Sequence, residues 1–254
     1  RYFAPTKPIE ELYDNEADRD QVHNLAADPR HRATLERLRA ECLRWMKESG
    51  DLGLLPESEM LVRAGGSTPW EIATDPQRNP LAALLAAAAL ANGMQAGNAT
   101  RLGDLLAQPD AAVRWWGAVG LVALRGDARP AEAALRRALS DTSPPVRIAA
   151  AEALGNLGDH AAALPVLTLA LQHEAPLVRL EAINVLDRFG AKAVPALPAL
   201  RAARIVLEKQ TAEFIAGVAR TGGGVQPALR AQAYVAEYVN RMVDYVPARI
   251  ERGR

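Results

Sequence analysis

The chain has 254 residues and a mass of 27.3 kDa, enough for one large domain or two small ones. Its 30 basic and 30 acidic side chains give a net charge of zero, which argues against a dedicated nucleic-acid binder because such proteins carry a basic field. A single Cys excludes an intramolecular disulfide framework and a multi-Cys metal site. Ala and Leu make up about a third of the chain, and this bias favours helix over strand.

The longest apolar run, residues 80–91, has about a dozen residues, whereas a membrane-spanning helix needs about 20. We therefore predict no membrane span. The chain begins with Arg rather than Met and shows no signal peptide at its start, so we expect it to be a piece of a longer protein.

The first sixty residues form an acidic segment with a net charge of about −4, and the remainder carries about +4. Residues 10–14 predict a short extended stretch, which a turn connects to a helix. Asp28 suits the N-cap of that helix and Pro29 its first position. Apolar side chains then recur at helical spacing on one face, namely Leu35, Leu38, Cys42 and Trp45.

Internal repeats dominate the remainder of the chain. A Val-Arg pair recurs at residues 113–114, 146–147 and 178–179, each time after a loop and at the start of an apolar helix. Aligning these pairs places large and small apolar residues in separate columns: Leu121, Leu154 and Leu186 in one, and Gly117, Ala150 and Ala182 in another. The small residues predict that neighbouring helices approach each other closely.

The middle repeat, residues 141–158, resembles a HEAT repeat, with the pattern Asp-x-x-x-Pro-Val-Arg-x-Ala-Ala-x-x-Ala-Leu-Gly-x-Leu-Gly. The resemblance implies an all-α, HEAT-like α–α solenoid of about five helical hairpins, which ends in capping helices over residues 208–220 and 227–246. Asp141 is replaced by Gln108 in the first repeat and by His173 in the third. We therefore do not expect a continuous ladder of Asp–Arg contacts between repeats.

Trp115 and Trp116 are adjacent residues near the start of the first repeat helix. Because neighbouring residues of an α-helix are rotated by about 100°, their side chains cannot face the same side. Val119, in the same helix, matches the polar residues Glu152 and Asn184 of the later repeats. The first repeat is thus apolar where the later ones are polar. One interpretation is packing against the preceding helices or the linker around Trp70. The other is an interface for an upstream domain or a partner, formed by Trp115, Trp116, Val119, Ile148 and Leu180.

The acidic segment carries a second resemblance. Glu11-Leu-Tyr-Asp14, Ala17-Asp18 and Asn24-Leu-Ala26, followed by a helix with a late Trp, resemble the C-terminal end of sulfatases over residues 8–57. In that family the helix packs on a small sheet, so Leu35, Leu38 and Trp45 are candidate domain-docking residues. Without such a sheet, this face must dock on the repeats, pair with another molecule or remain exposed.

The resemblance divides the chain into three parts. Residues 1–57 would be the tail of a sulfatase C-terminal subdomain, residues 58–79 a linker, and residues 80–254 the repeat domain with its capping helices. The function it implies is a non-catalytic interaction or scaffold domain at the C-terminus of a sulfatase-like hydrolase. An independent HEAT-repeat adaptor is the alternative. The expected partners are the upstream catalytic domain, another protein or a second copy of the chain, but no nucleic acid.

The catalytic chemistry implied by the sulfatase resemblance lies outside this chain. The family's nucleophile is a formylglycine made within a Cys/Ser-x-Pro-x-Arg motif, whereas Cys42 stands in Cys-Leu-Arg-Trp and is predicted to be a small buried residue. The four His residues share no ligand spacing, so we assign no catalytic, cofactor-binding or metal-binding residue. For the parent, the resemblance implies a divalent metal, taken as calcium, a formylglycine, sulfate-ester hydrolysis and a periplasmic or extracellular location.

Overall fold

In the computed structural model, the structure describes residues 7–205 and 227–253. Within these ranges the regular elements are α-helices and short 3₁₀ helices, and there is no strand. The expected extended stretch at residues 10–14 is irregular chain held by local hydrogen bonds. The Leu12 N–H donates to Asn24 Oδ1 over 3.0 Å, and the Leu25 N–H donates to the Leu12 carbonyl over 2.8 Å.

Helix α1 spans Arg32–Ser49 and follows a 3₁₀ turn at Pro29–His31. The Asp28 carboxylate caps this turn by accepting the Arg30 N–H, as predicted. The helix ends at Gly50, which adopts the left-handed conformation with φ of 63°. A Cβ on Gly50 would lie 2.4 Å from the Ala73 carbonyl oxygen, so close packing also requires glycine there.

Two short helices occupy the segment predicted as a linker, α2 at Glu57–Ala64 and α3 at Pro69–Ala73. A capping box starts α3, because the Glu71 carboxylate accepts the Thr68 N–H over 2.8 Å while Thr68 Oγ1 accepts the Glu71 N–H over 3.4 Å. Apolar side chains from this segment are buried together with repeat residues in one cluster, which contains Leu55, Ile72, Leu84, Ala112 and Val113. The segment therefore packs on the repeats, and the division of the chain into three parts stays a prediction.

The repeats form helical hairpins that stack in two layers. The first layer contains α4 (Leu81–Asn92), α6 (Ala111–Leu124), α8 (Pro144–Asn156), α10 (Pro176–Phe189) and α12 (Pro227–Glu251). The second contains α5 (Ala99–Leu105), α7 (Glu132–Ala138), α9 (His160–Ala170) and α11 (Leu197–Ala202), with 3₁₀ segments at residues 125–131 and 190–196. This arrangement confirms the predicted all-α solenoid.

The core of the solenoid lies between the two layers, where the predicted columns meet. Leu121, Leu154 and Leu186 are fully buried. Gly117 on α6 lies so close to α5 that a Cβ there would stand 2.8 Å from the Leu102 carbonyl oxygen. The predicted close approach of neighbouring helices is therefore confirmed at this position.

The C-terminal end of the solenoid is covered by α12, which contributes Val239, Val243, Val246 and Ile250 to the cluster around α10. The expected helix over residues 208–220 and the three glycines 222–224 lie outside the described residues. Of the helices that the structure describes, none has the length and apolar character needed to cross a membrane.

Candidate functional site

A helical strap crosses the first layer of the solenoid. We call residues 54–64, which contain α2, the strap, and we call the face of α6, α8 and α10 that it crosses the inner face. Ser58 Oγ donates to Glu181 Oε1 of α10 over 2.8 Å, and Ser143 Oγ at the start of α8 donates to Glu59 Oε2 over 3.2 Å. The strap thus contacts successive repeats that lie far apart in the sequence.

Both ends of the strap are held at α6. Arg63 Nη2 lies 2.9 Å from Asp110 Oδ2, and Arg63 Nη1 donates to the Arg78 carbonyl over 2.7 Å. Asp110 also caps α6 by accepting the Ala112 N–H over 2.9 Å. Trp116 Nε1 donates to the Leu54 carbonyl over 2.9 Å. The strap is therefore fixed at both ends by specific hydrogen bonds.

Helix α2 docks through polar as well as apolar side chains. Ser58 is buried, and the side chains of Glu59 and Arg63 are only 12% and 10% exposed. In contrast, Leu61 and Val62 are 52% and 74% exposed. Surface helices of globular proteins normally turn their apolar stripe toward the core and their polar residues outward. Met60 and Ala64 of α2 also pack against the cluster that contains Ile72 and Leu84. Hydrogen bonds, an ion pair and apolar contacts therefore hold α2 on the solenoid together.

An Asp–Arg contact links the first and second repeats. Arg114 Nε and Nη2 lie 2.7 and 2.8 Å from the two carboxylate oxygens of Asp141, and both side chains are largely buried. Burial alone would raise the pKa of the Asp141 carboxyl, but hydrogen bonds from Arg114 and the Ser143 N–H lower it below its usual value. The carboxyl in turn raises the pKa of Arg114.

This ladder does not continue to the third repeat, as the sequence predicts. His173 stands where a third carboxylate would be, and Arg147 donates instead to the carbonyls of Asp141 and Thr142 over 2.6 and 3.1 Å. Arg179 likewise donates to the carbonyls of His173 and Ala203. The carboxylate ladder therefore ends at Asp141.

Glu181 is the electrostatically unusual residue of the inner face. Burial raises the pKa of its carboxyl to about 7; the Ser58 hydrogen bond opposes this shift and the nearby Glu57 carboxylate adds to it. In the repeat alignment Glu181 matches Trp116 and Ala149, so it is the acidic member of an otherwise apolar column. The sequence alone shows this contrast within the column but does not indicate a role for Glu181.

The structure distributes the candidate interface residues over different clusters. Trp115 and Trp116 are half-buried and touch in a T-shaped geometry, with ring centroids 5.1 Å apart. Val119 is also half-buried. Ile148 is 4% exposed and lies in the cluster around α10, against which Leu180 also packs. Trp116 contacts the preceding segment at Leu54. A role of these five residues as an interface stays a prediction.

The candidate docking residues Leu35, Leu38 and Trp45 lie on α1, a helix that contributes no buried residue to the core. In the described part of the chain, no residue of α1 is buried. Leu35 is half-buried, while Leu38 and Trp45 are 43% and 59% exposed. The prediction that Cys42 is buried is wrong, because its thiol lies on the same unpacked helix and is exposed. Docking by this face stays a prediction.

No group of three or more His, Cys, Asp or Glu side chains is arranged to hold a metal ion within the residues that the structure describes. The ring of His160 packs edge-on against Phe189, with centroids 4.9 Å apart.

Comparisons with known proteins agree with the repeats seen in the structure. Residues 99–169 and 133–206 match the family model of HEAT repeats. The chain contains HEAT repeats. It is also similar to an ulvan-active sulfatase from Formosa agariphila, with 37% identity over 78 residues. That alignment covers 30% of this chain and only 13% of the relative's length.

HEAT repeats commonly mediate protein interactions. Their presence in this chain is consistent with a helical-repeat scaffold. The link to a sulfatase is limited to the short aligned region.

Proposed function

We propose that this chain is a non-catalytic scaffold attached to a sulfatase-like hydrolase, with the acidic segment joining the repeats to the catalytic domain. The observation that carries the proposal is the exposed apolar face of α1, within a segment that resembles the end of sulfatases. The partial similarity to a sulfatase supports it. A helix with an apolar face and no core beneath it is typical of a segment that packs on a partner.

The distribution of exposed apolar side chains also supports this proposal. Few large apolar side chains are exposed between residues 80 and 205, namely Met94, Leu169 and Val194. The shorter stretch before residue 80 exposes more of them, including Ile9, Leu38, Leu43, Trp45, Leu61, Val62 and Trp70. The apolar surface that a docked domain would cover is thus concentrated ahead of the repeats.

A contact within the acidic segment lets it dock as one unit. Arg39 Nε and Nη2 each lie 2.6 Å from a carboxylate oxygen of Glu10, which ties residues 7–28 to α1. Under this proposal the parent hydrolyses sulfate esters, and its formylglycine and divalent metal belong to the catalytic domain. The repeats position that domain relative to a partner or substrate.

The decisive experiment has two steps. The DNA upstream of Arg1 is sequenced, and we expect an in-frame sulfatase-like domain with a Cys/Ser-x-Pro-x-Arg motif. That domain and this chain are then produced separately and mixed in a calorimeter. We expect binding that is weakened at least about tenfold, or about 1.4 kcal/mol, by Trp45→Ala, because truncating a central aromatic anchor removes its buried contact.

The matched control is Leu169→Ala, which truncates an exposed leucine of the repeats and should leave this affinity unchanged. An in-frame stop codon upstream, or equal binding by the Trp45→Ala variant, would contradict the proposal.

An independent HEAT-repeat adaptor is the second candidate, and one observation favours it. Leu55 and Ile72, which lie before the repeats, share a buried cluster with Leu84 and Val113 of α4 and α6. The chain from about residue 50 onward is therefore integrated with the solenoid. An upstream stop codon together with a stable, monodisperse chain would support this candidate over the first.

A further inference from the structure

The outward face of α12 carries tyrosines and arginines in one line. Val239, Val243 and Ile250 are buried in the cluster around α10, so the opposite face of this helix is turned away from the core. Because successive residues of an α-helix are rotated by about 100°, six side chains fall within an arc of about 80° on that face. We call them the Tyr–Arg stripe, which consists of Tyr234, Tyr238, Arg241, Tyr245, Arg249 and Arg252.

The tyrosine rings of the stripe are exposed, and arginines partly order them. Tyr238 and Tyr245 are each 57% exposed, and Tyr234 is 47% exposed. The Cζ of Arg241 lies 5.8 Å from the centroid of the Tyr238 ring, and the Cζ of Arg249 lies 5.9 Å from that of Tyr245. Tyr and Arg are enriched among the residues that carry binding energy at protein interfaces, and Tyr loses little conformational entropy on binding. The stripe therefore has the composition of a protein-binding surface.

Carboxylates of the same chain balance the charges of the stripe. Arg241 is paired with Glu237 of the same helix, and Arg249 Nη1 lies 2.9 Å from Asp187 Oδ2 of α10. These pairs disfavour a polyanion as the occupant, because it would compete with carboxylates that are already in place. They also allow two copies of the chain to approach each other without strong repulsion between their arginines.

The stripe is complementary to itself when it is reversed. In an antiparallel pair of α12 helices centred near Val243, residues about equally far from the centre lie opposite each other. Tyr234 then faces Arg252 of the other copy, Tyr238 faces Arg249, and Arg241 faces Tyr245. Each tyrosine thus meets an arginine, and cation–π contacts favour this arrangement. A parallel pair would instead place tyrosine on tyrosine and arginine on arginine.

We propose that α12 is a self-association surface, on which two copies of the chain pair through their Tyr–Arg stripes around a two-fold axis. Such an interface uses the same patch on both copies, so each favourable contact occurs twice. The stripe is about 27 Å long at a rise of about 1.5 Å per residue. A contact of that length is small for a stable interface, and we therefore expect a reversible dimer with a micromolar dissociation constant.

This pairing is independent of the proposed link to a sulfatase. It leaves α1 outside the interface, so a dimer remains compatible with a catalytic domain docked on each copy.

Sedimentation equilibrium of the whole chain over about 1–300 µM tests the pairing. We expect the average mass to rise from that of a monomer toward that of a dimer and no further, because a two-fold contact is closed. Tyr245→Arg places arginines opposite each other at two symmetric positions and should raise the dissociation constant at least about tenfold. Adding Arg241→Tyr restores the contact with exchanged roles and should return the constant to within about threefold of wild type.

Trp70→Ala is the matched control, because it truncates an exposed aromatic side chain outside α12 and should leave the association unchanged. The thermal unfolding of each variant, followed by circular dichroism, should match that of the wild type, since the altered side chains lie on the surface. A chain that stays monomeric throughout, a dimer that is indifferent to Tyr245→Arg, or a double variant as weak as the single one would each overturn the proposal.

Two further outcomes would assign the surface to another occupant and overturn the proposal as well. Loss of the dimer on replacing Leu38 and Trp45 with Ser, but not in Tyr245→Arg, would place the contact on α1. A monomeric chain that binds dextran sulfate, with binding abolished in Arg249→Ala, would identify the stripe as a polyanion site.

Discussion

At the scale of single residues, two carboxyl groups of the inner region show how the local environment fixes their charge. Both Asp141 and Glu181 are partly buried, and this burial favours the neutral form of each. Asp141 faces the guanidinium of Arg114 and remains ionised, whereas Glu181 faces a hydroxyl and another acid. The same desolvation therefore produces a fixed ion pair in one repeat and a group that titrates near neutrality in another.

The Arg114–Asp141 pair should contribute measurably to stability. Removing one partner of a buried pair leaves the other charge without compensation, which costs about 3–5 kcal/mol when burial is complete. Both side chains here retain slight exposure, so we expect Arg114→Ala to lower the free energy of unfolding by about 2–3 kcal/mol. Urea denaturation at pH 7 measures this effect.

The exposed pair of Arg32 and Glu36 provides the control for that measurement. Arg32→Ala should change the free energy of unfolding by less than about 0.5 kcal/mol, as is usual for a solvated pair on a helix. The pH dependence gives a second check. Because the pKa of Asp141 is lowered, its contribution is present above its ordinary value and lost as the pH falls through the lowered one. Equal stability of wild type and Arg114→Ala at pH 7 would show that the pair contributes nothing.

At the scale of helices and loops, the sequence predicts local features well and distant contacts poorly. The N-cap Asp28, the terminating Gly50 and the repeat helices follow from local patterns, and the structure confirms them. Helix α2 lies in a segment rich in Gly, Pro and Ser that predicts a linker. Its partners Asp110, Ser143 and Glu181 lie far along the chain, and no local spacing of polar residues identifies such contacts.

The packing of α6 on α5 depends on the absence of a side chain at Gly117. A Cβ there would lie 2.8 Å from both the Leu102 carbonyl oxygen and the Leu105 Cβ, so backbone must shift to accept it. We expect Gly117→Ala to lower the free energy of unfolding by about 1–3 kcal/mol, the usual effect of overpacking, although alanine is the better helix former. Thermal and urea denaturation measure this difference.

Gly126 of the same hairpin is a suitable comparison, because a Cβ there would meet no atom within 4 Å. Gly126→Ala should leave stability unchanged or raise it by a few tenths of a kcal/mol. If Gly117→Ala behaved like this control, α5 and α6 would have to tolerate a wider separation than the structure shows.

At the scale of the whole molecule, the described chain has a buried core in its repeats and an apolar surface ahead of them. The repeat pattern predicts the first property, because every stacked hairpin must bury one apolar face. The second follows only in part from sequence. The helical spacing of Leu35, Leu38 and Trp45 identifies an apolar face, but spacing alone does not say whether that face is covered. It therefore could not show that Cys42, on the same helix, is exposed.

This unequal distribution of apolar surface leads to a prediction for the chain in solution. Replacing both Leu38 and Trp45 with Ser should leave the free energy of unfolding within about 0.5 kcal/mol of wild type, because neither side chain supports the core. It should nevertheless reduce binding of a hydrophobic dye and any self-association through α1, because both depend on exposed apolar area. Leu169→Ser, at an exposed leucine of the repeats, should alter dye binding far less. If the double variant were strongly destabilised, α1 would have to pack on the solenoid in solution, and its apolar face would not be free to bind a catalytic domain.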